Sequence, residues 1–336
     1  MNQELRYNYF SMKFNWQDLP KPFFALAPME GGTDTVFRQV VNLCGRPDVA
    51  FTEFTNCEGL LSKGREEVGK RLIYSQKEKP LIAQIWGIRP QSFFEVSKLL
   101  VEMGFDGIDI NMGCPERNVV ANGCCAGLIE NPDLAKEIIK ATREGAADLP
   151  VSVKTRIGLK DIQTEKWIGF LLNQNLDALT IHFRTQKEMS LVPAHWEEAE
   201  NVVKLRDEIS KKTVLIGNGD VESKAQGEEL AQKYALDGIM IGRGVFHNPY
   251  VFNESVSYGS QTKEERTALL QRHLDLFEQT WKEVHPISER GYGKSYPPLK
   301  RFFKIYISGF EGAAELREKL MLTENIEEAK TILSKS

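Results

Sequence analysis

Eight short apolar runs at a steady spacing constrain this chain more than anything else in it. They are FFALAPM (23–29), VAFTEF (49–54), LIAQIWG (81–87), GIDINMG (107–113), PVSVKTRIG (150–158), ALTIHF (178–183), TVLIGNG (213–219) and GIMIGRG (238–244). Most are rich in β-branched or aromatic residues. Their starts lie about one strand–helix unit apart, as strand–crossover–strand repeats require. The stretches between them read as helices. PQSFFEVSKLLVEMG (90–104) puts Phe93, Phe94, Val96, Leu99, Leu100 and Met103 on one broad face, with Gly104 as its stop. NPDLAKEIIKATREGA (131–146) opens with Asn131 as N-cap and Pro132 at the first helical position. TEKWIGFLLNQN (164–175) and SKAQGEELAQKY (223–234) take the same role. Strands covered on both faces should be almost continuously apolar, and several of these are. The expected fold is therefore α/β, a (β/α)8 TIM barrel spanning residues 1–255. An open doubly wound sheet is the competing architecture. Eight parallel strands are many for an open sheet, and no G-x-G-x-x-G follows the first run.

From about residue 260 the pattern is helical only. TKEERTALLQRHLDLFEQTWKEV (262–284) starts with a capping box, Thr262 and Glu265. LKRFFKIYISGF (299–310), AAELREKLMLT (313–323) and NIEEAKTILSKS (325–336) follow. This predicts a small C-terminal all-helical domain over 260–336.

With 336 residues, 41% hydrophobic and 27% charged, the chain can build a large core without staples. No apolar run approaches a membrane span, and the N-terminus lacks the features of a signal or transit peptide, so a cytoplasmic protein with no membrane partner is expected. The five cysteines, Cys44, Cys57, Cys114, Cys124 and Cys125, are odd in number and show no C-x-x-C. Free thiols are expected and no metal site is. Cys44 and Cys57 read as small buried hydrophobes. The net charge of −4 argues against nucleic-acid binding over the whole surface. Within 286–304, however, Arg290, Lys294, Lys300, Arg301 and Lys304 stand against Glu289, interleaved with Tyr292, Tyr296, Phe302 and Phe303. That mixture of cations and aromatics suits either a solvated surface or a nucleic-acid face.

A (β/α)8 barrel carries its active site at the C-terminal ends of its strands. Here those ends collect polar residues and glycines. They are Pro28-Met29-Glu30 after the first run, Gln84 in the third, Asn111 and Cys114 at the fourth and Lys154 and Arg156 in the fifth. His182 and Arg184 end the sixth, Asn218-Gly219-Asp220 the seventh and Gly242-Arg243-Gly244 the eighth. Taken singly, Gln84 could satisfy a backbone group and His182 could be a core histidine. Lys154 is harder to explain that way, because an interior lysine needs an anionic partner. The glycine-rich ends of the last two runs, with Arg243 beside them, match a phosphate cradle and imply a phosphate-bearing ligand. Cys114 follows the fourth run directly and precedes Pro115, between Gly113 and NGCCAG (122–127). A thiol at a barrel mouth can serve as nucleophile, proton donor or redox group. No second cysteine lies at redox spacing, and the one histidine at a strand end is two strands away. General acid is the role that fits best.

The ordered set APMEGGTDTVFRQVV (27–41), TEF (52–54), QIWG (84–87), GIDINMGCP (107–115), VKTRIG (153–158), LTIHFRT (179–185), NGD (218–220) and MIGRGVFHNPY (240–250) resembles the tRNA-dihydrouridine synthases. KRFFKIY (300–306) resembles that family's tRNA-binding helical domain. The resemblance implies an FMN enzyme, with NADPH as reductant, that reduces the C5–C6 double bond of a D-loop uridine in tRNA. On the family's pattern Cys114 is the proton donor to C5, and Asn111 helps hold the uracil. Pro28, Met29, Glu30, Gln84, Lys154 and His182 contact the flavin, while Asn218, Gly219, Asp220, Gly242 and Arg243 hold its phosphate end. Arg156, Arg184 and Lys154 on the barrel, and Lys300, Arg301 and Lys304 on the tail, are expected to meet substrate. Two positions depart from the pattern. Phe183 stands where the family usually has glycine, which suggests an altered floor near the phosphate or substrate. Cys124 and Cys125 replace small residues. Two other readings differ in class: an FMN barrel acting on a free pyrimidine, as in dihydroorotate or dihydropyrimidine dehydrogenases, and an idle RNA-binding scaffold. The basic tail and the NMGCP form favour tRNA over a free base.

Overall fold

The computed structural model describes residues 13–282 and 293–336. Nine parallel strands appear: β1 (Phe23–Leu26), β2 (Val49–Phe51), β3 (Thr55–Asn56), β4 (Leu81–Trp86), β5 (Gly107–Met112), β6 (Val151–Arg156), β7 (Ala178–His182), β8 (Val214–Asn218) and β9 (Gly238–Ile241). β1 pairs with both β2 and β9, and β2 pairs with β4, so the ring closes as an eight-stranded barrel with β3 as a continuation of the second strand. The TIM-barrel expectation holds, and the open sheet is excluded by that closure.

The second run is shorter as a strand than the sequence suggests. Phe51 opposes Ile82 and Thr55 opposes Ile85, so three residues face two across the gap. That extra residue is a bulge. The Thr52 hydroxyl accepts the Gln84 N–H at 3.0 Å, which replaces a missing ladder bond. Phe54 is thereby turned to the barrel mouth.

The inside of the barrel is graded along its axis. Phe23, Val49, Phe51, Ile82, Ala178, Val214, Ile216 and Met240 form its apolar filling. Trp16, on a short 3-10 turn at Trp16–Asp18, closes the N-terminal end against Phe23 and Phe51, with ring centroids 5.9 and 6.2 Å away. The N-terminal segment, silent in the sequence, thus contributes a plug from its described part; residues 1–12 lie outside the described residues. Above the apolar filling the interior becomes polar, and that polar layer is the floor of the site.

The barrel helices form where expected, whereas 299–310 is a 3-10 turn, Pro297–Phe302, running into the short helix Phe303–Tyr306. Pro132–Gly145 carries Asn131 as N-cap and Pro132 at its start, and Lys224–Tyr234 is capped by Ser223. The segment from Thr164 is a π-turn running into Gly169–Leu172. After the barrel come helices Lys263–Lys282, Phe303–Tyr306, Ala313–Leu322 and Ile326–Leu333. The capping box exists as expected, with Glu265 N to Thr262 Oγ1 at 3.2 Å and Thr262 N to Glu265 Oε2 at 2.8 Å. The helical region seats on the helix Thr35–Cys44, where Phe37 and Phe302 stack at 5.1 Å. Lys294 reaches across to Asp34 at 2.9 Å and Glu53 at 3.7 Å. Arg290, Glu289 and Tyr292 of the basic segment lie outside the described residues. No helix among the described residues is long and apolar enough to cross a membrane.

Candidate active site

The strand ends surround a cavity of about 440 Å³ at the C-terminal mouth of the barrel, within the range of small-molecule sites. Strand period decides what enters it. On β5, Asp109 and Asn111 share the inward face; on β6, so do Ser152, Lys154 and Arg156.

The floor is a chain of hydrogen bonds. Ser152 Oγ donates to Asp109 Oδ1 at 2.6 Å, and Gln84 Nε2 donates to Asp109 Oδ2 at 2.7 Å. Asn111 Nδ2 donates to Gln84 Oε1 at 3.0 Å. Asn111 Oδ1 then accepts the N–H groups of Gly113 at 3.0 Å and Cys114 at 2.9 Å. Burial pushes the Asp109 carboxyl up to about 6, against the hydrogen bonds from Ser152 and Gln84.

Cys114 begins the loop beyond this floor and is partly exposed. Its neighbours hold it in place: Gly113 O accepts from Arg156 Nε at 2.8 Å, and Pro115 O accepts from Gln186 Nε2 at 2.9 Å. The thiol is drawn down to about 7, chiefly by a hydrogen bond from the Cys125 thiol, with burial opposing and the Glu116 N–H and Arg156 assisting. Cys125 itself is buried, and its own pKa is raised well above the ordinary value, first by that burial. Cys124 is buried too. Cys44 and Cys57 are buried as the sequence suggested.

Lys154 Nζ donates to Asn218 Oδ1 at 2.9 Å, and Asn218 Nδ2 donates to Met240 O at 2.9 Å. Burial lowers Lys154 to about 7; Arg156 lowers it further, while Asp109 raises it. His182 is held well below its ordinary value by burial first, then by Arg156, Lys154 and Arg184. Arg184 Nη1 lies 3.0 Å from His182 Nε2. A guanidinium only donates, so Nε2 carries the lone pair and the neutral ring bears its proton on Nδ1.

The far wall is built from glycine turns. Gly219 has φ +137, and a Cβ there would sit 2.7 Å from Ala194 Cβ. Asp220, at φ +50, binds Arg184, Arg243 (3.1 Å) and the Ala194 N–H (3.1 Å). At Gly242 an added Cβ would meet Ala27 and Met29 at 3.7 Å, an ordinary contact.

Of the residues read from the sequence, Pro28, Met29, Gln84, Asn111, Cys114, Lys154, Arg156, His182, Asn218, Gly219, Asp220, Gly242 and Arg243 line this one cavity. The others lie elsewhere. Glu30 is exposed and pairs with Arg71. Arg184 is buried behind the wall, bracing Asp220, His182 and Val192 O. Lys300 and Arg301 are on the helical region, donating to Met321 O at 2.8 Å and Gly31 O at 2.7 Å, and Lys304 is exposed there. Phe183 differs from expectation most clearly. Its ring is fully buried in the outer core against Trp196, centroids 4.9 Å apart, and is not among the cavity-lining residues. Sequence reading missed Phe54, Ser190, Glu222 and His247 on the wall and Asp109 beneath the floor. Asp109 was within reach, because it lies two residues before Asn111 on the same strand face.

Residues 25–336 match the model of the family described as dihydrouridine synthase. A protein of Staphylococcus aureus (strain COL) named probable tRNA-dihydrouridine synthase is 49% identical over 325 residues, covering 96% of this chain and 95% of its own. Probable tRNA-dihydrouridine synthase 2 of Bacillus subtilis (strain 168) is 46% identical over 320 residues, covering 95% of each chain. Among solved structures, a variant of morphinone reductase in complex with tetrahydroNAD superposes with a TM-score of 0.51 at 12% identity, covering 70% of this chain and 86% of that one. That likeness shows a shared fold.

Proposed function

The chain belongs to the dihydrouridine synthase family, and from that premise we propose that it is an FMN-dependent tRNA-dihydrouridine synthase, using NADPH to reduce a D-loop uridine. The observation that carries the reading is the convergence of one thiol, one buried lysine and a glycine-lined end on a single cavity.

The residues present fit a flavin mononucleotide. Gln84 keeps an N–H beyond its bond to Asp109, suited to the polar edge of a ring. Pro28 and Met29 offer an apolar wall. Gly219 and Gly242 let backbone approach closely, and Arg243 supplies a cation at that end. When bound, FMN supplies the hydride that C6 of the uracil receives.

The chain's own residues do the rest. Cys114 holds the proton for C5, at a pKa suited to transfer near neutrality. Asn111 fixes the loop on which that thiol sits through the Cys114 N–H. Lys154, when protonated, stabilises negative charge developing beside it, and Asn218 keeps its ammonium in place. His182, neutral and braced by Arg184, is a fixed wall. A uridine must leave its stack to reach a barrel mouth, so substrate enters extruded. Catalysis is assigned to the barrel, 1–255, and tRNA docking to the helical region, 260–336, with Lys300, Arg301 and Lys304 facing RNA phosphates.

The test combines colour, mapping and one variant. Purified protein should carry an FMN spectrum, and deletion of the gene should abolish dihydrouridine at a defined D-loop position, restored by the wild-type gene. Cys114→Ala should keep the flavin and lose about 10²–10⁴-fold in turnover. A colourless protein, or full turnover in Cys114→Ala, would refute the corresponding part of the reading.

A further inference from the structure

Beneath the cavity, one carboxylate decides which atoms the floor offers to a ligand. Asp109 is fully buried, and an ionised carboxylate can only accept. It takes the Ser152 hydroxyl on one oxygen at 2.6 Å and a Gln84 N–H on the other at 2.7 Å. The Gln84 amide is thereby oriented with nitrogen toward Asp109 and oxygen toward Asn111. Gln84 Oε1 accepts from Asn111 Nδ2 at 3.0 Å, so Asn111 turns its own oxygen to the N–H groups of Gly113 and Cys114. Reversing either amide would set donor against donor at the next link.

This fixes what is left for a ligand. Both lone pairs of Asn111 Oδ1 are engaged, and Nδ2 keeps one hydrogen with no partner among the described residues. Asn111 lines the cavity. At this point the floor is a donor and has no acceptor to offer. A donor complements a carbonyl oxygen such as those of uracil and opposes the exocyclic amino group of cytosine, which is itself a donor.

A buried carboxylate is costly where an apolar side chain would pack. This one does not rest on a flexible loop. Gln84 and Asp109 are register partners across β4 and β5, and Asp109 and Ser152 are partners across β5 and β6. The orientation is therefore built into strand pairing.

Resting on the reading of this cavity as a uridine-reducing site, we propose that Asp109 is a positioning residue that makes the site select a uracil carbonyl over a cytosine amino group. It acts wholly through the Gln84–Asn111 amide chain.

Asp109→Asn tests this. It keeps the size of the side chain but presents Gln84 with either an oxygen or an NH₂, so the chain can run in both senses. The measurement uses flavin-loaded enzyme and two unmodified tRNA transcripts, with U or C at the position that mapping identifies. The wild type should prefer the U transcript. Asp109→Asn should retain flavin and thermal stability while that preference narrows by on the order of tenfold. A purely packing role would weaken both transcripts alike, and that result would overturn the proposal. Ser152→Ala, which frees the carboxylate to turn from Gln84, should narrow the preference in the same direction. An unchanged preference there overturns the proposal even where Asp109→Asn does not fold. A wild type that makes no dihydrouridine removes the proposed function and this inference together. A wild type that makes dihydrouridine without preferring U, or whose preference survives in Asp109→Asn, removes this inference alone.

Discussion

The Cys114 thiol is drawn down to about 7, first by its hydrogen bond with Cys125. In its proposed role as proton donor Cys114 works only while protonated, so the sign follows directly. With the thiol drawn down to about 7, the competent fraction is full at lower pH and is lost as pH rises through that value. We expect kcat/KM, which reports the free enzyme, to fall on an alkaline limb near 7. Lys154, lowered to about 7 by burial, loses its charge in the same window, so the wild-type limb alone does not assign the group. Cys125→Ala separates them. It removes the largest downward influence on Cys114 and leaves the burial of Lys154 in place. The alkaline limb should then move to higher pH, and alkylation of Cys114 at pH 7 should slow. A limb that stays in place in this variant would assign it to Lys154 instead.

The strand ends show how two glycines in similar sequence settings have different tasks. Gly219 has a positive φ and no room for a Cβ, whereas Gly242 has room but faces the cavity. Gly219→Ala should therefore lower stability by about 1–3 kcal/mol and weaken flavin binding as well. Gly242→Ala should leave the melting temperature of flavin-free protein unchanged and weaken flavin binding alone; a lowered melting temperature there would contradict the open space around it. Thermal melts with and without added FMN read both. The strands that stop just before these glycines were legible in the sequence because a buried parallel strand is a local apolar run with a local stop. The bulge at Thr52–Phe54 was not, since an extra residue is defined only against the register of β4. Nor was Phe183, whose face depends on the strand ending at His182 and on Trp196 packing from a later loop. Trp16 had no periodic neighbours to signal that it would close the barrel. The cavity-lining residues were legible for the opposite reason. A polar side chain at the end of an apolar strand adds nothing to the core, and closure of the ring gathers such side chains at one mouth.

The whole molecule joins a barrel to a helical region. Lys294, itself largely buried, holds the barrel carboxylates Asp34 and Glu53, and Arg301 donates to Gly31 O close to the cavity entrance at Pro28-Met29. This fixes the basic segment relative to the cavity, so a tRNA that touches the helical region is presented at a set angle. Contacts to phosphates release counterions, and binding then falls with salt in proportion to the number of contacts. Lys304 is the informative position, because it is exposed, while Lys300 is also engaged with Met321 O at 2.8 Å and a change there would disturb the fold. Lys304→Ala should weaken tRNA binding similarly for U and C transcripts. It should lower the slope of log affinity against log salt by about 0.7–0.9. Flavin content and the reactivity of Cys114 should not change, since Lys304 is not among the residues that line the cavity. Binding curves from low to physiological salt measure the slope; an unchanged slope would mean that tRNA docks away from this face, and the helical region would lose its assigned role while the barrel chemistry stood.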